Sequence, residues 1–188
     1  MRILLLRHLD TISCALYAKW LQKWPHSISH SKFESFTRSV GSHLASAYNL
    51  ARWLTLDENS AKEIVEGAYV RAWQLFDNKK HGSSKAWFLA IVRNMSHNLH
   101  SQGDRRNPLD GQQPISAQGN ATDLRQSIER LPLDFREVLV MRELEQMSYG
   151  EIADATGLPV GTVIARLSMA RKGVESAMYV NYRGTPVV

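Results

Sequence analysis

Apolar side chains recur every third or fourth position through most of the chain, and no stretch alternates with period two for long enough to make a strand. Phe33, Phe36, Val40, Leu44, Ala47, Leu50, Ala51 and Leu54 form one such stripe, which predicts a helix over 33–54. Ile64, Ala68, Ala72 and Leu75 form a second, with Ser60 and Glu63 spaced as a capping box at its start. "AWFLAIVRNMSHNL" is apolar on several faces, which predicts a third, central helix. The expected fold class is therefore all-α: two small helical domains joined by a flexible linker.

The linker is the stretch 101–122, "SQGDRRNPLDGQQPISAQGNAT", which has Pro and Gly and no periodicity. As a coil it would average roughly 25 Å end to end, so the two domains could lie apart or fold together. The expected divisions are an N-terminal extension at 1–30, a domain at 31–100, the linker, a domain at 123–180 and a tail at 181–188. The extension carries a loose stripe of Leu9, Ile12, Leu16, Trp20 and Trp24 before Pro25, and reads as a segment without a fold of its own. Its opening "MRILLLRHLD" is interrupted by Arg7 too early for a signal peptide or a membrane span.

The last domain contains the sharpest local signal. Ser148 and Glu151 fit a capping box, Ile152 and Ala155 face inward, and Gly157 is placed to end the helix before Pro159. A second helix starts near Val160, with Val163, Leu167, Ala170 and Val174 as its inward stripe. Two short helices joined by a tight Gly-containing turn are the helix-turn-helix plan, whose second helix enters a DNA major groove. The same plan also occurs as a simple helical corner.

Charge favours the nucleic-acid reading. The chain carries a formal charge of +5, which suits an acidic partner. From Ala121 to Leu158 acids outnumber bases, whereas after Pro159 Arg166, Arg171, Lys172 and Arg183 face Glu175 alone. The single cysteine, Cys14, excludes an intrachain disulfide and a cysteine zinc cluster, and suits a reducing cytoplasm. His97 and His100 are spaced as a possible metal pair, yet no HExxH or carboxylate trio supports them, so they read as solvated side chains. No nucleotide-binding or hydrolase motif is present, which predicts a protein that is not an enzyme and needs no cofactor.

"LPLDFREVLVMRELEQMSYGEIADATGLPVGTVIARLSMARKG" resembles region four of RNA polymerase sigma factors of the extracytoplasmic-function group. "AYVRAWQLF" followed by "AWFLAIVRN" resembles region two of the same group, in the same order. The resemblance implies a cytoplasmic transcription initiation factor without membrane insertion. Its implied partners are core RNA polymerase, promoter DNA and an anti-sigma factor. Region two would open the minus-ten element and region four would bind the minus-thirty-five element.

By that likeness Glu63, Glu66 and Arg71 would contact polymerase. Lys79, Lys80, Lys85, Trp87, Arg93, Asn94 and Asn98 would meet the unpaired strand, where cations serve phosphates and aromatic faces serve bases. Trp73, Trp87 and Phe88 also have a plain reading as core side chains. Thr162, Arg166, Ser168, Arg171 and Lys172 would contact duplex DNA, with Arg166 and Arg171 on the outward side of their helix.

Two departures stand out. Lys62 and Gly67 replace acids usual in region two, which lowers the expected polymerase affinity. Ile164, Ala165 and Met169 replace basic or polar residues usual in the recognition helix, which predicts an unusual or weak minus-thirty-five preference. Two other functions therefore stay open: a sigma-like protein that acts by binding an anti-sigma partner, and a helix-turn-helix regulator independent of polymerase.

Overall fold

The computed structural model describes residues 30–78, 82–104 and 121–183, all of them in helices or short connections. The elements are α1 (His30–Val40), a 3₁₀ turn (Gly41–His43), α2 (Leu44–Thr55), α3 (Glu58–Leu75), a 3₁₀ turn (Phe76–Asn78) and α4 (Ser84–Asp104) in the first half. The second half has α5 (Ala121–Glu129), α6 (Leu133–Leu139), a π-helical turn (Val140–Leu144), α7 (Tyr149–Thr156) and α8 (Val160–Arg183). The described residues contain no strand, as the periodicity requires. No helix among them is long and apolar enough to cross a membrane. The N-terminal extension, Lys79, Lys80 and most of the proposed linker lie outside the described residues.

The helix expected over 33–54 is two helices. At Gly41–Ser42 propensity is poor, and the Ser42 hydroxyl donates to the Arg38 carbonyl, competing with the helical ladder. His43 leaves helical geometry at φ −108° and ψ 8°, and α2 restarts at Leu44. The apolar stripe survives the break, because Phe36, Val40, Ala47, Leu50, Ala51 and Leu54 are all buried.

The start of α3 also differs from the expected Ser60 and Glu63 box. Asp57, extended at φ −123°, accepts from the Ser60 N–H at 2.7 Å and caps the helix three residues earlier. A carboxylate at the cap outcompetes a hydroxyl one turn inside, and the Ser60 N–H lowers the pKa of Asp57 in return. Leu56 immediately before it stands at φ +58°, the left-handed residue that ends α2.

The first-half core gathers around α4, whose Ala86, Phe88, Leu89 and Val92 are buried against α2 and α3. Its inner edge is aromatic: Phe36 meets Tyr69, Trp73 and Phe76 edge-on at 4.9, 5.1 and 5.2 Å. Trp73 thus packs, half-buried, against the core. Gly67, where an acid was expected, lies at the α3–α4 contact, where a Cβ would stand 2.6 Å from Met95 Cε and the flexible methionine tip would have to move aside. Each fully buried side chain of this set contributes about 1.5–3 kcal/mol by removal from water.

In the second half the expected turn forms as read. Ser148 and Glu151 make both bonds of the capping box, and Gly157 takes φ +72° while its N–H bonds to the Ala153 carbonyl. Pro159 then offers its carbonyl to Thr162 and Val163, which opens α8. Val163, Leu167 and Ala170 are buried with Ile152, Ala155 and Met147, and Val174 packs against them. The two halves pack together, α4 against α7 and α2 against α6.

Candidate nucleic-acid interface

The inward stripe of α8 decides what its other face can present. With Val163, Leu167 and Ala170 inside, Gly161, Ile164, Ala165, Ser168, Met169, Arg171 and Lys172 are exposed, and Thr162 is half-buried. The first turns are therefore apolar outside, with Val160, Ile164 and Met169 each 44–54% exposed. Cationic side chains follow further along. Arg171 donates from Nε and Nη2 to Glu143 Oε1 at 3.0 and 2.6 Å, an exposed pair that raises its pKa. Exposed pairs hold weakly, so a phosphate could replace Glu143 at small cost.

Arg166 does not lie outward as expected. Its side chain is 23% exposed and turns into the seam between the halves, Nη2 at 2.9 Å from Asp134 Oδ2 and Nη1 at 3.5 Å from Glu137 Oε1. Nη1 is buried and makes no hydrogen bond. A buried carboxylate draws a guanidinium away from solvent whenever both fit the same gap.

The residues expected to meet single-stranded DNA divide in the same way. Asn94 and Asn98 are exposed on α4, and Trp87 is half-buried against the core. Arg93 is instead bidentate on Glu137, Nε to Oε2 at 2.7 Å and Nη2 to Oε1 at 3.0 Å. Lys85 donates to the Glu145 carbonyl and lies 3.4 Å from its carboxylate. On α3, away from this seam, Glu63 and Arg71 are exposed and Glu66 is half-buried.

Glu137 is the residue that sequence reasoning missed. Its side chain has no exposure, yet it is a carboxylate among Arg93, His97 and Arg166. Burial alone would raise its pKa, but the hydrogen bonds and charges of His97 and Arg93 outweigh burial and hold it below the ordinary carboxylate range. Its position directly before the apolar run "VLVM" was the available signal.

His97 and His100 are half-buried and each bonds to a protein group rather than lying free in solvent as expected. His97 Nε2 meets Glu137 Oε2 at 2.7 Å, and His100 Nε2 meets the Leu54 carbonyl at 2.7 Å. Both sit on the face of α4 that turns toward other helices, so local protein groups replace water. His97, Asp134 and Glu137 bring ligand atoms within 4.8 Å of one another. Arg93 and Arg166 already neutralise those carboxylates, which makes this an ion-pair cluster rather than a cation site.

Two helical lobes, the second ending in a helix-turn-helix with an accessible second helix, define a nucleic-acid-binding protein of the two-lobed type. The Sigma-70, region 4 family profile matches residues 121–173. The ECF RNA polymerase sigma-E factor of Escherichia coli is 30% identical over 136 residues, covering 61% of this chain and 71% of the relative. The ECF RNA polymerase sigma factor SigE of Mycolicibacterium smegmatis is 24% identical over 152 residues, covering 73% of this chain and 59% of that relative's length. This chain belongs to the ECF RNA polymerase sigma factors. Two solved structures share its fold. The sigma factor RpoE of Bartonella quintana, crystallised with the anti-sigma factor NepR, has a TM-score of 0.67 at 24% identity, covering 78% of this chain and 98% of that one. CnrH, in complex with the cytosolic domain of CnrY, has a TM-score of 0.60 at 19% identity, covering 90% and 98%.

Proposed function

We propose that the chain is a transcription initiation factor that binds core RNA polymerase and directs it to specific promoters. It acts without a catalytic centre of its own, in the cytoplasm. The lobe at 31–100 takes the minus-ten element and the lobe at 123–180 the minus-thirty-five element. The observation that carries this reading is the turn at Gly157, which sets α7 and α8 in helix-turn-helix geometry inside a chain of this family. Thr162, Ser168, Arg171 and Lys172 are the proposed duplex contacts, joined by Arg166 once its seam partners are given up. Asn94, Asn98, Trp87, Lys85 and Arg93, with Lys79 and Lys80, are the proposed contacts to the opened strand. Glu63, Glu66 and Arg71 are the proposed polymerase contacts.

Anti-sigma factors are bound by the Bartonella quintana relative, and the same class of partner is proposed here. The exposed Val160, Ile164 and Met169 favour a weak minus-thirty-five contact, and so keep a second reading in play, a sigma-like protein acting through its anti-sigma partner. Transcription in vitro with core polymerase on a random promoter library tests both. Enrichment of templates sharing two spaced elements is expected. No transcript above core polymerase alone would overturn the initiation role.

A further inference from the structure

We infer that Glu137 is an internal counter-anion that latches the two lobes together and withholds Arg93 and Arg166 from DNA. The inference deepens the initiation-factor reading and rests on it for the roles of those arginines. Three elements converge on one carboxylate: α4 supplies Arg93 and His97, α6 supplies Glu137 and Asp134, and α8 supplies Arg166. Arg93 grips both oxygens of Glu137, the fork geometry that a guanidinium also offers a phosphate. A DNA phosphate and Glu137 therefore compete for the same donors. While Glu137 holds them, one arginine from each lobe is out of reach of nucleic acid.

The seam carries further polar links beside the apolar core that the two halves share. Asn49 donates to Glu145, Ser83 donates to Glu151, and Lys85 pairs with Glu145. Such polar links are those of interfaces within a chain that can rearrange. Glu137 is the most deeply buried charged group of the seam, with Glu145 and Arg136 next, so its pairing with Arg93 contributes to how firmly the seam holds. Once the lobes part, its charge repels DNA phosphates less effectively because water screens it. The link that crosses the seam is Arg93 and His97 on Glu137, whereas Arg166 pairs with Asp134 and Glu137 of its own lobe. The latch thus favours two states, closed with Arg93 neutralised or open with Arg93 on a polyanion, and Arg166 follows only where a phosphate displaces its acids.

The test uses the full chain. Spin labels are placed on exposed Ser35 and Asp154 through Ser35→Cys and Asp154→Cys in a Cys14→Ser background, one label on each lobe. The parent should give a single short distance, and Glu137→Gln should shift it to a longer, broader distribution. Affinity for a 30-base-pair duplex of random sequence should tighten by roughly tenfold if the closed form dominates tenfold, because apparent affinity scales with the open fraction. If Glu137→Gln loses helix content, Arg93→Gln attacks the same pair from its more exposed side and must lengthen the distance too. An unchanged distance in a folded variant overturns the latch. A longer distance without tighter duplex binding overturns its role as a brake on DNA. Failure of the parent to transcribe with core polymerase counts against the proposed function alone and leaves the distance result standing.

Discussion

Arg136 Nη1 donates to the main-chain carbonyl of Trp53 at 3.1 Å, joining residues 83 positions apart. The same guanidinium reaches back to the Leu131 carbonyl from Nε and Nη2, at 3.4 and 3.0 Å. One buried side chain thus ties the start of α6 to the end of α2. Burial lowers its pKa, though a guanidinium stays protonated throughout the physiological range. Arg136→Ala would strip the partner from carbonyls that water reaches poorly. A loss of about 2–4 kcal/mol is expected, since each unsatisfied buried group costs about 1–3 kcal/mol. Urea unfolding of the full chain measures it. Arg136→Lys should recover only part, because one ammonium cannot span both acceptors.

Glu137 makes the docked state dependent on acid. Its pKa is depressed in the folded arrangement, so its contribution is fully present above the ordinary carboxylate range and is lost as pH falls through the depressed value. Arg93, His97, Arg166 and Asp134 are the charged or titratable groups facing it. The interlobe distance should therefore hold through mild acid and lengthen only below the ordinary carboxylate range, and Glu137→Gln should abolish that step. A seam that stays closed well below the carboxylate range would contradict the assignment.

Ile164 is 47% exposed on the early turns of α8, so replacing it disturbs little packing. Ile164→Arg should tighten duplex binding. It should also steepen the logarithmic salt dependence by about 0.9, the increment for one phosphate contact. Unfolding free energy should stay within about 0.5 kcal/mol, as for other surface changes. An unaltered salt slope would place this face of α8 away from DNA.

The turn before α8 can be tested through its cap. Ser148→Ala removes the hydroxyl that accepts the Glu151 N–H, at an expected cost of about 1 kcal/mol. Glu151 would also lose a hydrogen bond from the same hydroxyl while keeping the one from Ser83. The lowered pKa of Glu151, due first to the Ser148 N–H, should rise little. Carbon-detected titration of that carboxyl checks the second expectation and thermal unfolding the first.

What the chain determined by itself is local and periodic. Spacing of three and four marked Phe36, Leu50, Leu54 and Ile64 in the first half and Val163, Leu167 and Ala170 in the second as buried, and the structure joins both sets in one core. Ser148, Glu151, Gly157 and Pro159 specified the turn because caps and a left-handed residue act within five or six positions. The two lobes and the family followed from those signals. The break at Gly41–His43 and the cap at Asp57 were also local, but there a neighbouring residue offered a second plausible choice of helix or cap.

The tertiary structure alone decided where the cations point. Position on a helix makes Arg93 and Arg166 look solvent-facing, since neither falls in an apolar stripe. Only the docking of α4, α6 and α8 brings Glu137 between them. Charges meet over distances set by folding rather than by sequence, and a carboxylate shut away from water must be paired because leaving it unpaired is costly. That is why a residue unnoticed in the chain governs two that were noticed.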